Sequence, residues 1–214
     1  MQSPLIQHVN PRLILASSSI YRQALLARLC LAFDIITPDV AEELRCNETP
    51  AAMAARLAVE KATAVARKEP QALVIGSDQV AALDGKTIGK PGSHEKAMAQ
   101  LRTMRGRTVV FYTAVCLIDG RSTFEAPGCA GKVQQATIET IVKFRELPDD
   151  ALDAYLRIEK PYDCAGSAKN EGLGIVLIES CNSNDPTALT GLPLIALSEM
   201  LLNAGVVFFA AGDA

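Results

Sequence analysis

Apolar and polar positions along this chain fall into blocks with distinct periods. Arg12 to Ala16 (RLILA) and Ala72 to Gly76 (ALVIG) are short unbroken apolar runs, which predict buried strands. After the first run, Ser17-Ser18-Ser19 supplies N-cap residues for a helix whose apolar positions are Ala24, Leu25 and Leu29. Thr49 followed by Pro50 signals a second helix, Ala-rich to Lys68 and stopped before Pro70. The second run turns abruptly polar at Ser77-Asp78-Gln79, which puts Asp78 at the C-terminal end of a strand. Val80 to Leu83 and Lys86 to Ile88 flank Asp84-Gly85, a hairpin signal. Ser93 caps a helix to about Met104. Thr108 to Ile118 and Lys132 to Phe144 are predicted long strands, the second alternating as a half-solvated strand does. Asp149 to Ile158 predicts a short helix, Gly174 to Ile178 a strand, and Pro186 onward a C-terminal helix through Leu202.

Helices mixed with buried and hairpin strands predict an α/β or α+β sheet protein, as one domain over 1–214 with two lobes. Residues 1–12 read as an extension before it. Composition narrows the partners. With 21 Lys+Arg against 24 Asp+Glu the net charge is −3, which gives no general attraction to nucleic acid or anionic membrane. An anionic ligand must therefore be held by a few local cations. No apolar run approaches the roughly 20 residues of a membrane span, and the first twelve residues lack a signal-peptide pattern, so a cytoplasmic protein is expected. Six cysteines without CxxC spacing read as free thiols, and two histidines leave little material for a multi-histidine metal site. The apolar stretch Gly205 to Gly212 fits either core or a homodimer interface.

Five places carry candidate chemistry. The strand-to-helix junction at Ala16 to Arg22 offers free backbone N–H groups, serine hydroxyls and the Arg22 guanidinium to an anion, though simple capping explains it as well. Lys61 lies on the apolar stripe of Met53, Leu57, Ala64 and Val65, where it must snorkel to water or meet an anion. Asp78 is a carboxylate that could bind a cation or take a proton from water, or merely a turn residue. Lys90 sits in Gly89-Lys90-Pro91, a stiffened loop where a solvated lysine is equally ordinary. CAGSAKNEGLG (Cys164 to Gly174) has three glycines and many small residues, the composition of backbone folded closely around something.

Taken in order, LILASSSIYR, VEKA, GSDQV, GKP, CAGSAKNEGLGI and GLPLIAL resemble the Maf family of nucleoside triphosphate pyrophosphatases over nearly the whole chain. GSDQ and the Glu of KNEG resemble in particular the bacterial subfamily acting on 7-methyl-GTP. The resemblance implies a two-lobed mixed-sheet α/β fold, ITPase-like, with a central cleft. It also implies cleavage between the α and β phosphates with release of pyrophosphate, and a divalent cation, Mg²⁺ or Mn²⁺. By position it makes Asp78 the proton acceptor and Glu42 its metal or water partner, with these two as metal ligands. Ser17, Ser19, Arg22, Lys61 and Lys90 match phosphate-holding positions, the two lysines within the catalytic group. Tyr21, Gln79 and Glu171 match positions of base preference. Ile20 stands where the family usually has Pro, and Ala41 where an acid usually precedes Glu42, so Glu43 remains an alternative to Glu42. A dTTP/UTP-type or broad modified-nucleotide pyrophosphatase is the other enzyme reading. A nucleotide-binding regulator of septum formation is the reading from a different class.

Overall fold

The computed structural model describes residues 10–121, 125–126, 129–130 and 132–209. The strands are β1 (Leu13–Ala16), β2 (Asp34–Ile35), β3 (Leu73–Leu83), β4 (Lys86–Ile88), β5 (Thr108–Asp119), β6 (Glu125–Ala126), β7 (Cys129–Ala130), β8 (Lys132–Phe144) and β9 (Ile178–Ser183). The α-helices are α1 (Ile20–Ala27), α2 (Pro50–Ala66), α3 (His94–Met104), α4 (Asp149–Glu159) and α5 (Leu194–Asn203). Seven strands form one mixed sheet in the order β2-β1-β3-β5-β8-β9, with β4 also on β3, and β6 pairs with β7. β1 runs parallel to β2 and β3, while β5, β8 and β9 extend the sheet antiparallel. The result is the mixed α/β class expected. Among the described residues no helix is long and apolar enough to cross a membrane.

Three apolar clusters hold the sheet. On one face α2 packs Ala54, Ala58, Ala62 and Val65 against Ile14, Val74 and Ile118. On the other, Leu25 and Leu26 of α1 and Leu197 and Leu201 of α5 meet Leu15, Ile75 and Leu117. The third joins α3 and α4 to the far ends of β3, β5 and β8 through Leu101, Leu156, Phe111 and Phe144. Val206 is buried in the second cluster and Phe208 packs on it, so the described start of Gly205 to Gly212 is core, whereas Phe209 is exposed. Residues 1–9 and 210–214 lie outside the described residues.

The capping serine and threonine act as expected. Ser19 Oγ accepts from the Arg22 backbone N–H, and Thr49 Oγ1 from that of Ala52. Three expectations need correction. β3 does not end before Asp78 but continues to Leu83, because every residue of Ser77–Val80 stays paired with β5 and its polar side chains find partners within the protein. Leu173–Leu177 is a 3₁₀ turn rather than a strand, and β9 begins only at Ile178. The C-terminal helix begins at Leu194, after a 3₁₀ turn (Ala188–Thr190) and Gly191 in the left-handed region at φ 113°.

One position decides how closely α2 approaches the sheet. A Cβ on Gly76 would stand 2.2 Å from the Ala58 carbonyl oxygen and 2.7 Å from the Ala62 nitrogen. Only a residue without a side chain lets the helix sit this near β3, which brings Lys61 within reach of the strand. Gly76→Ala is expected to push α2 outward and cost about 1–3 kcal/mol, read as a lowered urea midpoint. An unchanged midpoint would show that the contact yields freely.

Candidate active site

β3 has a strand neighbour on both sides except over one short stretch. β1 accompanies it as far as the Ala16–Gly76 pair, and β4 begins at the Ala81–Ile88 pair. Ser77 to Val80 therefore have only β5 beside them, and a cavity of about 600 Å³ opens there. All ten residues singled out from the sequence line it: Ser17, Ser19, Tyr21, Arg22, Glu42, Lys61, Asp78, Gln79, Lys90 and Glu171.

Strand alternation divides the chemistry. Asp78 points to the α2 side, where Lys61 Nζ lies 2.6 Å from Asp78 Oδ1 and 2.5 Å from Glu42 Oε1. Lys61 does not snorkel: it is buried and bridges two carboxylates. Glu42, not Glu43, is the acid that faces it; Glu43 contributes its backbone carbonyl to Arg56 Nη2 at 3.0 Å. Arg56 also grips Glu48 and Glu60, so the irregular segment carrying Glu42 is tied to α2. Burial pushes the Asp78 carboxyl above its ordinary range, against the pull of Lys61 and Arg22. Glu42 moves the other way. Burial raises it, but the Lys61 hydrogen bond and charge, helped by Lys90 and Arg22, outweigh that and hold it below the usual range.

On the opposite side, Arg22 Nε donates to the Gly191 carbonyl at 2.8 Å, and Ser77 Oγ shares its one proton between that carbonyl at 2.9 Å and the Ala114 carbonyl at 2.7 Å. Arg22 Nη1 also reaches Ser17 Oγ at 3.4 Å, which aims the guanidinium across the start of α1. Burial lowers the affinity of Arg22 for its proton, and Asp78 and Glu42 partly restore it. Lys90 is exposed at the rim beyond β4. Tyr21 stands near Cys164 Sγ at 4.0 Å, with Lys169 Nζ 5.8 Å from its ring centre. Partial burial raises the Glu171 carboxyl, as does Glu159 nearby. The loop bearing Glu171 folds closely on itself: a Cβ on Gly174 would meet Lys169 backbone atoms at 2.4 to 2.6 Å.

The sequence did not single out Thr113, Asn170 or the turn from Asp185 to Gly191. Asp185 is buried and receives the backbone N–H groups of Thr187 and Ile195, fixing the turn to the start of α5. Asn170 Nδ2 donates to Thr190 Oγ1 at 3.0 Å, joining the glycine loop to that turn. The signal was an Asp-Pro-Thr run before a Gly-Leu-Pro, which marks a capped turn but not what the turn holds.

Among the described residues no group of three or more His, Cys, Asp and Glu is arranged to hold a metal. Two carboxylates, Asp78 and Glu42, share Lys61 at the cavity wall. Mg²⁺ ordinarily takes one or two carboxylates together with water and phosphate oxygens. The pair fits an ion that arrives with a phosphorylated ligand.

A cavity that gathers Arg22, Lys61 and Lys90 beside a buried carboxylate, with an aromatic ring and an amide further along, is built for an anionic, extended ligand with a planar end. The chain belongs to the Maf family: the family model described as "Maf-like protein" matches residues 12–204. It is 56% identical over 201 residues to the 7-methyl-GTP pyrophosphatase of Cupriavidus pinatubonensis, covering 94% of this chain and 97% of that one. It is 57% identical to the enzyme of that name from Cupriavidus metallidurans, covering 94% and 98%. Among solved structures it is similar to a nucleoside-triphosphatase / dITP/XTP pyrophosphatase from Mycobacterium abscessus, at 14% identity and TM-score 0.43, covering 91% of this chain and 97% of that one.

Proposed function

We propose that this protein hydrolyses 7-methyl-GTP to 7-methyl-GMP and pyrophosphate. The observation that carries the reading is the meeting of Arg22, Lys61, Lys90 and Asp78 in one cavity, in a chain 55–57% identical to several proteins bearing the 7-methyl-GTP pyrophosphatase name. A triphosphate brings about four negative charges. Arg22 and the N–H groups at the start of α1 hold the phosphate chain with Ser17 and Ser19, and Lys90 closes over it from the rim. Asp78, with one oxygen on Lys61, takes the proton of the attacking water through the other. Burial raises its proton affinity and so makes it a stronger base than an exposed aspartate. Lys61 keeps Asp78 and Glu42 together and stabilises charge that develops as the water is deprotonated. Asp78 and Glu42 would hold a divalent cation, Mg²⁺ or Mn²⁺, which when bound neutralises phosphate charge. The single domain works as two lobes, with the α3–α4 cluster on one side of the cavity and the α1, α2 and α5 packing on the other.

N7-methylation leaves guanine cationic, which suits the Tyr21 ring and the Glu171 carboxylate. Glu171 can accept from guanine N–H groups where glutamine would offer one acceptor and one donor. Pyrophosphate release compared across 7-methyl-GTP, GTP, dTTP, UTP and ITP tests the assignment, with 7-methyl-GTP expected to give the highest kcat/KM. Glu171→Gln should lower the preference for 7-methyl-GTP over dTTP about 10-fold, the order of one charge-assisted hydrogen bond. A preference unchanged from wild type in the variant removes Glu171 from base recognition. kcat/KM should fall on the acid side with an apparent pKa above about 4, the ordinary aspartate value, because Asp78 must be ionised.

A further inference from the structure

Gln79 lines the cavity, yet its amide nitrogen is already committed to the protein. Nε2 lies 2.9 Å from Thr113 Oγ1, 3.0 Å from the Ala188 carbonyl and 2.9 Å from the Leu189 carbonyl. The Thr113 hydroxyl proton is spent on the Ala188 carbonyl at 2.9 Å, so toward Gln79 its oxygen offers only a lone pair. Three acceptors therefore surround that end of the amide, and its two N–H protons are shared among them. Turning the amide over would set its oxygen against two carbonyl oxygens and a hydroxyl lone pair, and strand buried acceptors. Only one orientation survives, with Oε1 on the side away from the turn.

We propose that Thr113 is a positioning residue for substrate recognition: with the Ala188–Thr190 turn it fixes Gln79 so that the side chain meets the nucleobase as a hydrogen-bond acceptor only. The base edge that docks there must present an N–H, and a carbonyl at the same place is repelled. This rests on the 7-methyl-GTP reading proposed above and on the base-preference position that the Maf resemblance gives Gln79. Thr113 is fully buried on β5 and is not among the residues that line the cavity. Its effect passes through one side chain and one carbonyl, and the same turn carries Gly191, whose carbonyl orients Arg22.

A double-mutant cycle tests this. The ratio of kcat/KM for 7-methyl-GTP to that for dTTP is measured in wild type, Thr113→Val, Gln79→Leu and the double variant, with Thr113→Ser as the hydroxyl-retaining control. Thr113→Val should lower the ratio about 3- to 10-fold, the loss of one hydrogen bond. It should have no further effect in the Gln79→Leu background, and Thr113→Ser should keep the wild-type ratio. An unchanged ratio in Thr113→Val, or an equal drop in both backgrounds, overturns the inference. A wild-type protein without preference between the two nucleotides overturns the base assignment instead. Should Thr113→Val fail to fold, NMR of the wild-type side-chain amide decides. The Gln79 Nε2 protons should exchange slowly in the free protein and keep their shifts when a non-hydrolysable 7-methyl-GTP analogue binds. Fast exchange, or a move of those protons onto the ligand, overturns it.

Discussion

Asp78→Asn lowers kcat for 7-methyl-GTP about 100- to 10,000-fold, the range a positioned proton acceptor supplies. The substitution keeps the shape of the side chain and an oxygen for Lys61, 2.6 Å away in the native protein. What disappears is the capacity to accept a proton. The fold should survive, and the sign of the pKa shift says why. Burial raises the Asp78 carboxyl, so the folded state binds that proton more tightly than the unfolded chain does. The ionised form is therefore the less favoured one in the fold, and a neutral amide relieves that burial. Lys61 retains Glu42 at 2.5 Å. Pyrophosphate release together with thermal unfolding checks both halves. A variant that retains more than about a tenth of wild-type turnover removes Asp78 as the base.

The parts of this architecture that the sequence made legible are those set by local chemistry. The Ser19 and Thr49 caps, the Asp84-Gly85 turn with φ positive at both residues, and the long strands β5 and β8 each carry their own signal. Asp78 was legible as a candidate carboxylate but not as a mid-strand residue. A polar triplet after an apolar run looks like a strand end when its partners are remote. Ser77, Asp78 and Gln79 stay in the sheet because the Ala114 and Gly191 carbonyls, Lys61 and Thr113 satisfy them from 17 to 114 positions away. The same remoteness hid the Asp185–Gly191 turn. Its role lies in backbone carbonyls, and those leave no mark on residue type. The stretch from Gly174 misled for a different reason: the apolar sequence of a buried strand is also that of a 3₁₀ turn, and here Ile175 and Val176 are more than half exposed.

Seen together, groups from both ends of the cavity hang from one element. Gly191 orients Arg22 and Ser77, Ala188 and Leu189 orient Gln79, and Thr190 holds Asn170 of the glycine loop. Asp185 locks that turn to α5 by accepting two backbone N–H groups. Because its carbonyls are shared, a shift of the turn moves both ends of the site at once. This explains how a cavity assembled from distant segments can keep one geometry.

Lys61→Met destabilises the protein by about 3–5 kcal/mol at pH 7, the cost of leaving a buried charge without its partner. Methionine fills much of the same space on α2, so the loss is electrostatic rather than a cavity. Lys61 and Asp78 are both more than nine-tenths buried, and Glu42 is drawn to the same ammonium. Without it, two carboxylates face each other beside a low-dielectric wall. The pH dependence follows with a definite sign. Asp78 already has a raised proton affinity in the fold, and losing Lys61 raises it further. The variant should therefore recover stability as pH falls from 7 toward 5 and Asp78 takes up its proton. Glu42 adds nothing between pH 7 and 5, because its carboxyl is ionised there in both the folded and the unfolded chain, the folded one being held below the ordinary range of about 4.3. In the native protein its depressed carboxyl pKa contributes stability present above its unfolded pKa and lost as pH falls through the folded one. Wild type loses that contribution only on acidification below that window, so the convergence between pH 7 and 5 reports Asp78 alone. Urea midpoints at pH 7, 6 and 5 should show the gap between the two proteins closing. Combining Lys61→Met with Asp78→Asn should return most of the lost stability at pH 7 while turnover stays absent, because the buried charge is gone but so is the base. A gap that stays constant with pH, or a double variant no more stable than Lys61→Met alone, would mean that Lys61 acts by packing and not by charge.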